Sequence, residues 1–188
     1  IRGASVIALD VHWSCAITGF EPMIERIRRV NPEAVIVVGG ITASLVPETI
    51  LVRYPVDYVI QGDAEVAFSR LVDAVLAGRR PVGIPNVSGR DLPPVPPRRM
   101  TPTEFDRTDS LTIDWFPTFQ RVTGLQAAAF GLGRTVPVAR GCRMRCPHCY
   151  GSCASVFGTG TLMLTTWAFR AMLQRAENEQ VEGLRLIL

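Results

Sequence analysis

Three short runs of β-favouring residues constrain this chain more than anything else in it. Residues 5–10 (SVIALD), 34–38 (AVIVV) and 57–60 (DYVI) are apolar through their centres rather than alternating. That is the pattern of strands covered on both faces. Segments of helical period lie between and after them. Residues 21–30 place Met23, Ile24, Ile27 and Val30 on one side of a helix, and Asn31-Pro32 ends it. Val46-Pro47 opens a second helix, with proline in its first turn. Residues 65–76 form a third, carrying Val66, Phe68, Leu71, Val72, Val75 and Leu76, and Gly78 stops it. Strand–helix repeated three times over residues 1–78 calls for an α/β domain with a doubly wound parallel sheet, Rossmann-like or flavodoxin-like in kind. The first strand starts almost at residue 1, so the sheet is expected to be incomplete at its N-terminal side.

Residues 79–134 change character. Pro81, Pro85, Pro93, Pro94, Pro96, Pro97, Pro102 and Pro117 make the segment an extended connector. A short strand near residues 86–89 and a helical turn near 103–105 are expected within it. Its aromatics Phe105, Trp115, Phe116 and Phe119 are expected to pin it to a domain surface. Residues 135–188 return to β/α. Residues 135–139 (TVPVA) read as a strand, 141–160 as a loop rich in cysteine and glycine, 165–179 as a helix with Thr165 or Thr166 as N-cap, and 184–188 (LRLIL) as the start of another strand. A buried strand at the very end suggests a truncated domain, which on its own is expected to fold poorly and to be inactive.

Composition excludes several classes. The chain has 188 residues, 47% hydrophobic and 20% charged, which is ordinary for a folded domain and unlike a disordered one. No apolar run approaches the roughly 20 residues that cross a bilayer, and no secretory leader is visible at the N-terminus. A net charge of +3 is too small to imply nucleic-acid binding. The charge is uneven: residues 1–78 are net acidic and the remainder net basic. Every basic residue is Arg, so neither a Schiff-base lysine nor a P-loop lysine is possible in these residues.

Four of the five cysteines, Cys142, Cys146, Cys149 and Cys153, fall within twelve positions, while Cys15 stands alone as a small core residue. An odd count and a tight cluster point to metal or redox chemistry in a reducing compartment rather than to disulfides. The first three are spaced C-x3-C-x2-C on a loop leaving a strand. Structural zinc sites close four ligands with two paired knuckles, and no second pair exists here. Three soft thiolates with an open fourth position suit an iron–sulfur cluster. A zinc site closed by Cys153 or His148 is the alternative, and otherwise Cys153 is a bystander.

The segment ARGCRMRCPHCYGS resembles the radical S-adenosylmethionine (SAM) superfamily, over about the last fifty residues. The resemblance implies the start of a partial β/α barrel. It implies that Cys142, Cys146 and Cys149 ligate a [4Fe–4S] cluster whose fourth iron chelates SAM, with His148 and Tyr150 beside that cofactor. Arg140, Arg143 and Arg145 lie next to an anionic centre. They either tune it or meet the substrate, or are simply solvated. The family's Gly-Gly-Glu-type motif would lie beyond Leu188.

In α/β sheets of this kind, ligands sit at the carboxyl ends of the strands. Those ends are residues 10–13, 39–44 and 62–65. Gly39-Gly40 either lets a flat ligand approach the backbone or makes a tight turn. The stretch VIVVGGITAS…PETIL…YPVDYVIQGDAEVAF resembles the cobalamin-binding domain that precedes the barrel in many of these radical enzymes. The resemblance covers residues 1–78. By it, Gly39, Gly40, Ile41, Thr42, Gly62, Asp63 and Glu65 line a cobalamin pocket. Asp10-Val11-His12 looks like the start of the D-x-H-x-x-G signature that supplies a cobalt-ligating histidine in some cobalamin proteins. Cys15 occupies the glycine position, however, and the segment aligns with a later strand, so His12 is not read as the cobalt ligand.

The resulting expectation is a cobalamin-dependent radical SAM enzyme that cleaves SAM reductively and transfers a methyl group to an unactivated centre. No residue is singled out as catalytic beyond the cofactor-holding ones. The alternatives are a radical SAM enzyme without cobalamin, and a non-catalytic metal-binding protein with a Rossmann-like domain. The implied partners are a small-molecule or peptide substrate and a reductant such as flavodoxin or ferredoxin, with neither nucleic acid nor membrane, in the cytoplasm.

Overall fold

The computed structural model describes residues 1–12, 14–108, 134–144, 160–181 and 184–187. These fall into two compact units, one formed by residues 1–99 and 144 and the other by residues 100–108, 134–143, 160–181 and 184–187.

The first unit is a three-layer α/β arrangement. Its sheet takes strands β1 (Val6–Asp10), β2 (Val35–Gly39), β3 (Tyr58–Ile60) and β4 (Val87–Gly89) in that spatial order. β1, β2 and β3 run parallel, with Val6 opposite Val35 and Val37 opposite Tyr58. The connections carry helices α1 (Phe20–Val30), α2 (Ile41–Leu45) and α3 (Pro47–Arg53), and β3 is followed by α4 (Glu65–Leu76). Alternation along the strands sends neighbouring side chains to opposite faces. Ile36, Val38 and Val59 pack with Phe20, Ile24 and Ile27 of α1 and Ile50 of α3. Val37 and Ile60 pack with Ala67 and Leu71 of α4. Burial on both faces is what the continuous apolar runs require. It also explains the spacing in α1, where Phe20, Ile24 and Ile27 fall on one stripe.

The sheet is mixed rather than wholly parallel. β4 pairs antiparallel with β3, setting Val59 opposite Ser88. Residues 79–99, part of the expected connector, therefore complete the first unit, and the connector expected over 79–134 is divided between the units. Asn86 secures the arrangement. It is buried, it adopts a left-handed backbone (φ 69°), and its side-chain amide donates to the carbonyls of Gln61 and Arg98. Its side-chain oxygen accepts the Arg98 N–H, and the Gln61 N–H donates to its backbone carbonyl. At the opposite end of the sheet, the Arg28 guanidinium on α1 donates to the carbonyls of Pro55 and Ala34 and to the Asp57 carboxylate.

The second unit contains α5 (Pro102–Asp106), α6 (Thr166–Asn178) and two ladders. β5 (Arg134–Pro137) pairs parallel with β8 (Leu184–Ile187), and β6 (Ala139–Cys142) pairs antiparallel with β7 (Gly160–Met163). The strand expected over 135–139 is thus two strands meeting at Val138. Val136, Met172, Ala176 and Leu184 join β5 and β8 to α6. The expected helical turn near 103–105 is α5, opened by a reciprocal cap between Thr101 and Glu104. Thr165 is the N-cap of α6, as expected, its hydroxyl accepting from the Ala168 N–H. Among the described residues no helix is long and apolar enough to cross a membrane.

Candidate functional site

The carboxyl ends of β1, β2 and β3 are bound to one another by a set of short hydrogen bonds. The Val11 N–H donates to the Gly39 carbonyl (2.8 Å), and the Thr42 N–H donates to the Val11 carbonyl (3.1 Å). The Thr42 hydroxyl donates to the His12 carbonyl (3.2 Å). α2 therefore begins tied to the exit of β1, and Thr42 is buried with its side chain turned to that task. The His12 side chain is exposed, and its carbonyl is held by Thr42.

The two adjacent glycines differ. Gly40 has φ +99°, a backbone that L side chains rarely adopt. A Cβ there would press on the Asp10 carboxylate and come within 2.7 Å of the Val11 carbonyl. Gly40 is thus fixed by the turn and by the adjoining strand end. Gly39 lies at the end of β2, and a Cβ there would meet nothing within 4 Å. The space a side chain would fill at Gly39 is open, so the backbone there is approachable from outside. A bare backbone there is compatible with the approach of a flat group such as corrin.

Ile41 and Thr42 open α2, whereas Gly62 and Asp63 lie between β3 and α4 and Glu65 begins α4. Gly62 has φ +67°. Its N–H is taken by the Ser44 hydroxyl (2.8 Å), which in turn donates to the Gly40 carbonyl (2.8 Å). The structure therefore brings all seven expected residues to one end of the sheet. It adds Ser44 and Asn86, which sequence reasoning missed. Ser44 follows Gly40 by one helical turn, and a small polar residue so placed next to buried positions can return its hydroxyl to the carbonyl four residues back. Asn86 follows a proline and adopts the left-handed conformation that asparagine tolerates best.

In the second unit, Cys142 ends β6 opposite Gly160. Cys146, Cys149, Cys153, His148, Tyr150 and Arg145 lie outside the described residues, as does the side chain of Cys15. Arg140 stacks its guanidinium over the ring of Phe105, 5.7 Å from the centroid, and Arg143 is exposed. Phe105, one of the aromatics expected to pin the connector, is fully buried, whereas Trp115, Phe116 and Phe119 lie outside the described residues.

Residues 2–72 match the B12 binding domain family. The whole chain also shares its fold with a radical SAM methyltransferase, TsrM from Kitasatospora setae. The TsrM structure with tryptophan substrate and a SAM analog bound superposes with a TM-score of 0.66 at 20% identity, covering 98% of this chain and 37% of that one. The TsrM structure with cobalamin and a [4Fe–4S] cluster bound gives a TM-score of 0.65 at 19% identity, with the same coverage. The present chain thus spans little more than a third of the TsrM chain. No curated protein matches it. The α/β fold read from the sequence is borne out, and residues 2–72 are similar to B12 binding domains.

Proposed function

We propose that this chain forms part of a cobalamin-dependent radical SAM enzyme that transfers a methyl group to an unactivated centre of its substrate. The observation that carries the reading is the presence, in one chain, of a match to the B12 binding domain family over residues 2–72 and a C-x3-C-x2-C motif after it. When bound, the [4Fe–4S] cluster with SAM supplies one-electron reductive chemistry, and cobalamin supplies a transferable methyl group.

The chain's own residues have distinct parts in this reading. Gly39 leaves room for the corrin face, and Gly40, Ile41 and Thr42 hold the adjoining turn against the end of β1. Gly62, Asp63 and Glu65 bound the pocket from the β3 side. Gly62 contributes its lack of a side chain and not its N–H, which Ser44 occupies. Cys142, Cys146 and Cys149 are the cluster ligands, with His148 and Tyr150 beside SAM. Thiolate ligands of this kind need a reducing compartment, which assigns the enzyme to the cytoplasm. The substrate is a small molecule or a peptide, and the electron comes from a flavodoxin or ferredoxin.

Anaerobic reconstitution with iron and sulfide, read by absorbance and electron paramagnetic resonance, tests the reading. The expected result is a cluster whose reduced spectrum changes on adding SAM, together with corrinoid retained on the protein. A cluster responsive to SAM on a chain that binds no corrinoid would select the radical enzyme without cobalamin. Stoichiometric zinc with four protein ligands and no response to SAM would overturn the enzyme assignment.

A further inference from the structure

The Ser44 side chain touches both glycine turns at the strand ends. Its hydroxyl donates to the Gly40 carbonyl and accepts the Gly62 N–H, each at 2.8 Å, and the residue is 3% exposed. It is therefore closed off from any ligand, yet it bridges the turn after β2 to the turn after β3. We infer that Ser44 is a positioning residue: its hydroxyl fixes the spacing between the Gly39-Gly40 turn and the Gly62 turn, and so sets the width of the ligand cradle without touching the ligand. The inference rests on the cobalamin reading of that cradle.

Two observations separate this role from ordinary helix building. The Gly40 carbonyl already accepts the Ser44 backbone N–H at 3.0 Å, so α2 closes its first turn without the hydroxyl. The Gly62 N–H, by contrast, is directed at the hydroxyl itself. Removing the hydroxyl leaves α2 bonded and takes away the acceptor that holds the β3 turn. The consequence falls on the placement of Gly62, a residue in the left-handed region that no regular ladder holds.

The test uses the 188-residue chain and hydroxocobalamin as the probe, with dissociation constants measured for wild type, Ser44→Ala, Ser44→Thr and Ser44→Cys. Ser44→Ala should weaken binding about tenfold, as expected when one buried hydrogen-bond partner is lost. Ser44→Thr, which keeps the hydroxyl, should return affinity to within about threefold of wild type. Amide hydrogen exchange should show Gly62 losing protection in Ser44→Ala while α1 and β2 keep theirs. Wild-type affinity in Ser44→Ala, or equal weakening in the alanine and threonine variants, overturns the inference. Should Ser44→Ala fail to fold, Ser44→Cys decides: its poorer acceptor should give weakened binding, and wild-type affinity there overturns the inference. If the wild-type chain does not bind hydroxocobalamin, the cobalamin reading itself fails, and the inference goes with it. That outcome is distinct from a wild type that binds and a variant that binds equally.

Discussion

The two units differ in how their strand ends are held. In the first, the strand ends are locked by the protein's own hydrogen bonds. Thr42 reaches β1, Ser44 joins β2 to β3, and Asn86 holds the end of β3 from the far side. Two apolar clusters on opposite faces of one sheet support that lock. In the second unit, among the described residues, the sheets are pairs of strands and the apolar cluster is small, with Val136 and Ala176 as its buried members. Cys142 stands there at a strand end, and a cluster ligand set would add its own bonds to the fold when it binds. The difference teaches that strand ends in the first unit are fixed by the chain's own hydrogen bonds, whereas the proposed thiolate site of the second would gain its bonds only with a metal.

The sharpest way to break that contrast is to remove the largest fully buried side chain among the described residues of the second unit. Phe105 is fully buried and carries Arg140 on its ring. Phe105→Ala should cost about 3–5 kcal/mol, the usual price of deleting a buried aromatic ring. Hydrogen exchange should show the loss in α5 and β6. A change under about 1 kcal/mol would mean that the second unit does not depend on this contact. In the first unit, Gly40→Ala should cost about 2–4 kcal/mol, because the new Cβ meets Asp10 and Val11 in a left-handed backbone. Gly39→Ala is its partner experiment. It should leave chemical denaturation unchanged within about 0.5 kcal/mol, since nothing occupies that space, yet weaken hydroxocobalamin binding. Two glycines with equal stability costs would sink the distinction drawn between them.

The alternation of strands and helices over residues 1–78 was legible because burial on both faces of a sheet writes itself into composition as unbroken apolar runs. The gathering of Gly39, Ile41, Gly62 and Glu65 at one end followed from the rule that parallel strands point their carboxyl ends together. Other features had no local signature. Two identical letters at 39 and 40 hide one constrained glycine and one open one, because the constraint comes from Asp10 and Val11, about thirty residues earlier. The direction of β4 depends on the turn at Asn86, and a three-residue strand in a proline-rich segment carries too little pattern to reveal it. The helix α2 ahead of Val46-Pro47 and the role of Ser44 within it had no such signature, since the partner of Ser44 at Gly62 is eighteen residues away.

The cap of α6 sets a smaller test within the second unit. The Thr165 hydroxyl accepts from the Ala168 N–H, and the Asp106 carboxylate accepts both the Thr165 N–H (2.8 Å) and the Thr165 hydroxyl (2.9 Å). Thr165→Ala removes the hydroxyl's two bonds and should cost about 1 kcal/mol by denaturant titration. If Asp106 provides part of that value, Asp106→Ala and Thr165→Ala should be non-additive when combined. Strict additivity would show that the helix cap and the carboxylate act independently.

The smallest effect belongs to the first unit and is set by pH. Burial, and then the neighbouring Asp57 carboxylate, raise the pKa of Tyr58 above its ordinary value, with Asp91 adding to the rise and Arg80 opposing it. The folded protein therefore holds the phenol proton more tightly than the unfolded chain, which loses it near pH 10. Between the unfolded and folded values the unfolded chain binds fewer protons, so stability must fall as pH rises. The contribution of Tyr58 is fully present below about pH 10 and is lost as pH climbs through the raised folded value. Denaturant midpoints at about pH 9 and about pH 11 should thus differ more for wild type than for Tyr58→Phe, which has no phenol to titrate. The phenol is only partly screened from water, so the excess should be small. An equal alkaline loss in both proteins would place the titrating group elsewhere and leave Tyr58 a packing residue against Gly89, whose Cβ position lies 2.9 Å from the ring.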